Sequence, residues 1–73
     1  MNKNPLFNIA LARYLSSLPY MVRVAKSRDI RETLGISVFV LSDWRRGRTA
    51  LNAVFFDKIS EIVGEDLRSY IQE

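Results

Sequence analysis

The sequence predicts an all-α fold, a compact bundle of five short helices. Its apolar residues recur at intervals of three and four along most of the chain, whereas the strict alternation typical of half-buried strands is almost absent. Pro19, Gly35, Gly47 and Gly64 each follow such an apolar stretch, where they are expected to end helices. With 73 residues, 48% of them hydrophobic, the chain (residues 1–73) is long enough for one domain with a single small core.

The first helix is expected to begin after Asn4-Pro5, because proline suits the first turn of a helix, and to end before Pro19. Arg13 interrupts its apolar run, and no small-residue cleavage site follows. This favours a helix of the domain over a signal peptide or a membrane span, so we expect a cytoplasmic protein. The residues expected to point inward, at helical spacing, are Leu6, Ile9, Ala10, either Arg13 or Tyr14, and Leu18.

The second helix is expected to start at Ser27, a suitable N-cap that is followed by acidic residues near the positive end of the helix dipole. Ile30 and Leu34 are expected to point inward at a spacing of four, and Gly35 to end the helix in a left-handed turn. Residues 20–26 are either a short connection or an early start of this helix.

The third helix, of about residues 37–46, is expected to be capped by Ser37 and to stop at Gly47. Leu41 and Trp44 are expected to point inward. A core position for Trp44 is favoured over a role in stacking on a base, because it follows Leu41 at a spacing of three.

A fourth helix is expected over about residues 52–63 and a short fifth helix within residues 65–71, with Gly64 between them. The apolar side of the fourth helix is formed by Phe55, Phe56, Ile59, Ile62 and Val63. The fifth helix is expected to pack three residues against the core, Leu67, Tyr70 and Ile71.

Basic residues are concentrated in the middle of the sequence. Residues 23–48 hold seven basic residues against three acidic ones, whereas residues 49–73 hold two against five. The middle therefore carries a net charge of +4 and the last part −3, in a chain whose formal net charge is +3. Such segregation is the electrostatic footprint of a protein that binds a polyanion. A solvated helix face is the alternative.

The residue types that most catalytic and metal sites need are missing. The chain has no cysteine and no histidine, which excludes thiol nucleophiles, imidazole catalysis and the common zinc sites. Asp57 and Glu61 lie one helical turn apart, but surface solvation explains them better than a catalytic pair does. We therefore expect a protein that is not an enzyme and that needs no metal and no cofactor.

Residues 27–67 hold, in order, the hydrophobic and turn positions of a known family. The positions are Ile30, Leu34, Gly35, Ile36, Ser37, Leu41, the phrase Ser42-Asp43-Trp44-Arg45-Arg46-Gly47-Arg48, and later Ile59-Ser60-Glu61-Ile62-Val63-Gly64-Glu65-Asp66-Leu67. In this order and spacing they resemble the lambda-repressor-like (Xre-type) helix-turn-helix family, with the motif at about residues 27–47. The resemblance implies a small DNA-binding transcriptional regulator whose recognition helix, about residues 37–46, enters the major groove.

Two features depart from the family pattern. Arg31 stands four residues before the turn glycine, where the family has a small residue, so its side chain must reach outward or the two helices must be splayed. The outward positions of the recognition helix hold Val38, Phe39, Ser42 and Asp43, in place of the amides and arginines that read base edges. Apolar side chains at these positions can contact a thymine methyl, and aspartate can accept a hydrogen bond from cytosine.

The resemblance implies DNA contacts from the recognition helix and the loop that follows it. Arg45, Arg46 and Arg48 are expected to bind phosphates, with a charge cluster that only complements the helix dipole as the alternative. The full set of expected DNA-binding residues is Arg28, Ser37, Val38, Phe39, Ser42, Asp43, Arg45, Arg46, Arg48 and Thr49.

The expected partner is double-stranded DNA, bound by a homodimer, because one module of this size offers little contact area and would read only one half-site. Neither a small-molecule ligand nor a membrane is indicated. The alternative is a protein–protein interaction module on the same scaffold, antitoxin-like or regulator-binding. It is favoured by the apolar Val38-Phe39-Val40 face and the acidic last part of the chain.

Overall fold

The computed structural model of the chain describes residues 5–71, and every regular element in that range is helical. The elements, in order, are α1 (Pro5–Ser16), α2 (Tyr20–Leu34), α3 (Val38–Arg46), α4 (Ala53–Val63) and a 3-10 turn (Leu67–Tyr70). The all-α prediction is confirmed. The predicted count of five helices is not, since the last segment closes i→i+3 hydrogen bonds, such as that from Ser69 N to Asp66 O at 3.1 Å.

The predicted start of the first helix at Asn4-Pro5 agrees with a first helical residue at Pro5, while Asn4 lies outside the described residues. Within residues 5–71, no helix combines the length and apolar character that crossing a membrane requires. The inward face of α1 differs from the prediction, because Leu6 and Ile9 keep 38% and 41% of their surface exposed. Of the two alternatives that the spacing left open, Tyr14 is buried.

Packing against the 3-10 turn, α3 and α4 selects the buried face of α1. The ring of Phe7 stacks on that of Phe56, with centroids 4.4 Å apart and planes inclined by 15°. Residues 6–11 are apolar on almost every side of the helix, so spacing alone cannot choose a face. The residues of α1 that are buried in the core are Phe7, Ala10, Leu11, Tyr14 and Leu15.

The helix α2 begins at Tyr20, so the N-cap predicted at Ser27 is wrong and the early start is the correct alternative. Pro19 precedes the helix with φ −59° and ψ 154°, and its carbonyl accepts a hydrogen bond from Arg23 N at 2.8 Å. Tyr20 and Met21 are exposed by 68% and 77%, so this half of α2 has no buried stripe that a periodicity could reveal.

The turn between α2 and α3 is as predicted. Gly35 ends α2 at φ 68° and ψ 35°, a left-handed conformation that only glycine adopts cheaply. Ser37 is the N-cap of α3, and its Oγ accepts a hydrogen bond from Val40 N at 3.2 Å. Three residues therefore separate two helices whose facing ends are both defined by local hydrogen bonds.

One core joins all the elements. The helix α1 packs against α3 and the 3-10 turn, and α2 packs against α4. Trp44 is 5% exposed, with its ring 5.5 Å from that of Phe55, so its predicted core position is confirmed. The largest fully buried side chains are Phe56, Leu11, Leu15, Ile30, Leu51, Ile59 and Leu67.

Candidate nucleic-acid interface

The first turn of α3 presents apolar side chains to solvent. Phe39 keeps 77% of its surface exposed, Val38 53% and Val40 37%, although α3 is capped and its opposite side is buried through Leu41 and Trp44. Capping and packing of the inner side fix the helix, so its outer residues are displayed on a rigid element. The predicted outward orientation of Val38 and Phe39 is confirmed.

Ser42 and Asp43, the other two predicted reading residues, are each half-buried. The carbonyl of Asp43 accepts a hydrogen bond from Arg48 N at 2.9 Å, which closes the helix end at Gly47. The side chains at these positions therefore have less surface to offer a partner than Phe39 has.

Exposed arginines follow at the end of α3. Arg46 and Arg48 are exposed, as is Thr49, whereas Arg45 is half-buried. The ion pair found within residues 5–71 joins Arg68 to Asp57, on other elements, at 3.0 Å. No carboxylate in that range thus neutralises Arg46 or Arg48, and the end of α3 carries uncompensated positive charge that also complements its dipole.

Other basic residues are engaged within the fold. Lys26 Nζ lies 3.5 Å from Val63 O at the end of α4, and Arg13 Nη1 donates to Tyr70 O at 3.2 Å. The guanidinium of Arg68 covers the stacked pair Phe7 and Phe56, at 5.4 and 5.5 Å from the two ring centres. These groups stabilise the bundle, whereas Arg46 and Arg48 at the end of α3 have no such contact within residues 5–71.

Arg28 is exposed, but it does not lie where it was expected. The prediction placed it beside the start of the second helix, and that helix begins at Tyr20 instead. Arg28 is therefore in the middle of α2, without the favourable backbone N–H groups that a helix start would provide for a phosphate.

Asn8, on α1, holds the loop that carries Arg48 and Thr49. Its Nδ2 donates to Trp44 O at 2.8 Å and to Thr49 O at 2.9 Å, and its Oδ1 accepts from Leu51 N at 3.3 Å. Asn8 is 5% exposed, so these bonds are shielded from water. One amide thus joins the last turn of α3 to two backbone positions of the loop after it.

Asn8 is not among the residues that the sequence predicts for the interface. A signal was present, because it is the one polar residue between Leu6 and Ala12, and a polar residue buried in an apolar helix needs partners for its hydrogen bonds. Its partners are backbone groups more than thirty-five residues away, as in the pair of Asn8 and Trp44, separated by 36 residues. Spacing within a helix carries no information about such partners.

A cleft lies between α2 and α3 beside Arg31, the position at which the family pattern has a small residue. Arg31 is half-buried and lines this interhelical cleft, together with Arg23 of α2 and Arg45 of α3. The opening has a volume of about 200 Å³. A long side chain at this position thus coincides with two helices that do not close completely upon each other.

Comparison of the chain with models of protein families, with curated proteins and with solved structures finds no match. The geometry offers a short rigid helix with an apolar first turn, uncompensated arginines at its end, and a loop fixed in place by Asn8. Such an arrangement can bind phosphates through the arginines while the helix lies in a groove.

Proposed function

We propose that the protein is a small DNA-binding regulator in which α2, the turn at Gly35 and α3 form a lambda-repressor-like helix-turn-helix. The observation that carries this proposal is the pair Arg46 and Arg48, exposed and without an acidic partner in residues 5–71, at the end of a capped helix. Two exposed cations without an acidic partner, next to a helix that fits a major groove, are suited to bind the phosphates of a DNA backbone.

The dimensions of α3 suit a major groove. It has nine residues, and an α-helix with its side chains is about 10–12 Å across. The major groove of B-DNA is about 12 Å wide and accepts an α-helix. In this arrangement Phe39 would lie against the base edges, and Arg46 and Arg48 would reach phosphates at the rim of the groove.

The bonds of Asn8 support this proposal because they order the loop before DNA arrives. A loop that is already fixed loses little conformational entropy on binding, so more of the phosphate attraction appears as affinity. The loop after α3 carries Arg48 and Thr49, and Asn8 binds the carbonyl of Thr49. This loop and α3 thus form one preformed surface.

The reading face is poor in hydrogen-bond donors. Phe39 and Val38 can contact thymine methyl groups, and they cannot distinguish bases by bidentate hydrogen bonds. We therefore propose a modest, methyl-directed sequence preference on top of strong backbone binding. A homodimer on two half-sites about one helical turn apart would add the contact area that a single module lacks.

Selection of bound duplexes from a random pool, followed by mobility shifts with the selected sequence, tests the proposal. We expect enrichment of thymine-containing sites, and loss of the preference in Phe39→Ala while binding to unselected duplex persists. Val54→Ala, which removes an exposed apolar side chain from α4 (63% exposed), is the matched control and should bind as the unchanged protein does. Failure of any duplex to bind would refute the proposal.

A second candidate function rests on the 77% exposure of Phe39. An exposed phenylalanine flanked by two partly exposed valines is typical of a protein-binding surface. Under this alternative the protein binds another protein through the first turn of α3. Phe39→Asp would then abolish the complex, whereas Arg46→Ala and Arg48→Ala together would leave it intact; DNA binding predicts the greater loss from the arginine changes.

A further inference from the structure

The interhelical cleft between α2 and α3 concentrates positive charge on an opening in the fold. Three arginines line it, Arg23 and Arg31 from α2 and Arg45 from α3. Among residues 5–71, no acidic residue lines it. Ser27 and Ser42 also line the opening, so its polar residues are all of types that can donate hydrogen bonds to an anion.

Two of these guanidinium groups have an unused donor inside the protein. The Nε atoms of Arg31 and Arg45 are buried, and neither has a hydrogen-bond partner within residues 5–71. Buried N–H groups without acceptors are rare in folded proteins, and each one calls for an explanation. Both side chains line the cleft, so a small rotation of each guanidinium towards an acceptor placed there would give these donors a partner.

The remaining wall of the cleft is apolar. Val24, Val38 and Leu41 line it, and Val24 and Val38 keep 44% and 53% of their surface exposed. A hydrated inorganic ion gains nothing from such a wall. A ligand that joins an anionic group to a small apolar body would use both parts, and a cleft of about 200 Å³ has room for it.

We propose that this cleft binds an organic phosphate monoester, with the phosphate between Arg31 and Arg45 and the apolar body against Val24 and Val38. A phosphate monoester carries a charge of about −1.5 to −2 at pH 7 and three acceptor oxygens, which matches several guanidinium forks better than a carboxylate does. This site shares Val38 with the proposed reading face but includes neither Arg46 nor Arg48, so it does not depend on the phosphate contacts proposed for them.

Nuclear magnetic resonance titration of the full chain with phenyl phosphate, without DNA, tests the proposal. The Nε–H signals of Arg31 and Arg45 report directly on the donors that are unpaired in the free protein. We expect both signals to shift saturably with phenyl phosphate. Benzenesulfonate, a monoanion of similar shape, and inorganic phosphate should bind more weakly, and phenol should not bind.

Variants locate the site. Arg31→Ala, which installs the small residue expected at this position, should weaken phenyl phosphate binding about tenfold or more, the loss expected for a charge-assisted hydrogen bond. Arg31→Lys keeps the charge but removes the fork, and should bind with intermediate affinity. Arg48→Ala lies outside the cleft and should bind as the unchanged protein does. Backbone spectra of each variant establish that it is folded.

Three results would overturn the proposal. The first is the absence of any shift at millimolar phenyl phosphate. The second is an equal loss of affinity in Arg31→Ala and Arg48→Ala, which would show diffuse attraction to positive charge. The third is weaker duplex binding by Arg31→Ala with no phenyl phosphate binding, which would assign the cleft to a phosphate of the DNA backbone. Phenyl phosphate binding without duplex binding would refute the proposed function and leave this site standing.

Discussion

Removal of the two exposed arginines at the end of α3 should change the salt dependence of DNA binding by an amount that can be calculated in advance. Each phosphate that a side chain neutralises adds about 0.9 to the slope of log affinity against log salt. Arg46→Ala with Arg48→Ala should therefore lower the slope by about 1.8 per protomer, or about 3.6 for a dimer.

The same numbers translate into affinity. Raising the salt concentration fourfold, from about 50 to 200 mM, costs each protomer about 12-fold through these two contacts, and a dimer about 150-fold. The affinity of the double variant should fall less over the same rise in salt, because these two contacts are absent from it. Because both side chains are exposed and have no internal partner, the variant should unfold at the same denaturant concentration as the unchanged protein.

Fluorescence anisotropy of a labelled duplex, measured at five or more salt concentrations, gives the slope. Lys58→Ala is the matched control, since it removes one exposed cation from α4, away from the proposed interface. Its slope should equal that of the unchanged protein. A double variant whose slope also stays unchanged would show that Arg46 and Arg48 contact no phosphate, and the reasoning from uncompensated charge would be refuted.

Three further predictions concern stability. Asn8→Ala removes two buried hydrogen bonds and one partly buried one, and should cost about 2–3 kcal/mol, which would lower Tm by roughly 10 °C or more; a loss below a few degrees would contradict the role given to this amide. Ser37→Ala should cost about 1 kcal/mol in urea unfolding, and Ser37→Asp, which can still cap α3, should cost less. Burial, with smaller contributions from Glu65 and Tyr70, raises the pKa of Tyr14 above the ordinary value of 10.0. The folded state therefore holds this proton more tightly, so the associated stability is complete below pH 10 and is lost as pH rises through the raised pKa. Urea unfolding between about pH 9 and pH 11 should show a decline that Tyr14→Phe reduces and the exposed control Tyr20→Phe retains.

The parts of the fold that the sequence predicted correctly are those decided locally. Gly35 and Gly47 end helices because both adopt positive φ, and Ser37 caps α3 through its own side chain. Leu41 and Trp44 are buried together because their spacing of three places them on one side of α3. Each of these features depends on neighbours within a few positions.

The parts that the sequence did not predict are decided by contacts between distant segments. The face of α1 follows from its packing against distant segments, including the stack of Phe7 on Phe56. The start of α2 is a different case, because Pro19 sets it locally and the exposed first half of the helix has no buried stripe that a periodicity could reveal. The interhelical cleft is a property of two helices together, although the unusual position of Arg31 pointed towards it. Of the candidate interface, the arginines could be predicted, whereas the partners of Asn8, which fixes their loop, lie too far along the chain for spacing to reveal them.

The partners of Asn8 have a consequence for the order in which the protein folds. Its three bonds join residues that are 36, 41 and 43 positions apart, so none can form until α1 has met the segment around Leu51. Closing such long loops is entropically costly and tends to occur late. We therefore expect Asn8→Ala to speed unfolding and to leave the folding rate nearly unchanged. During synthesis α1 is made before residues 44–51, so the loop bearing Arg48 would become ordered only after that later segment has packed against α1.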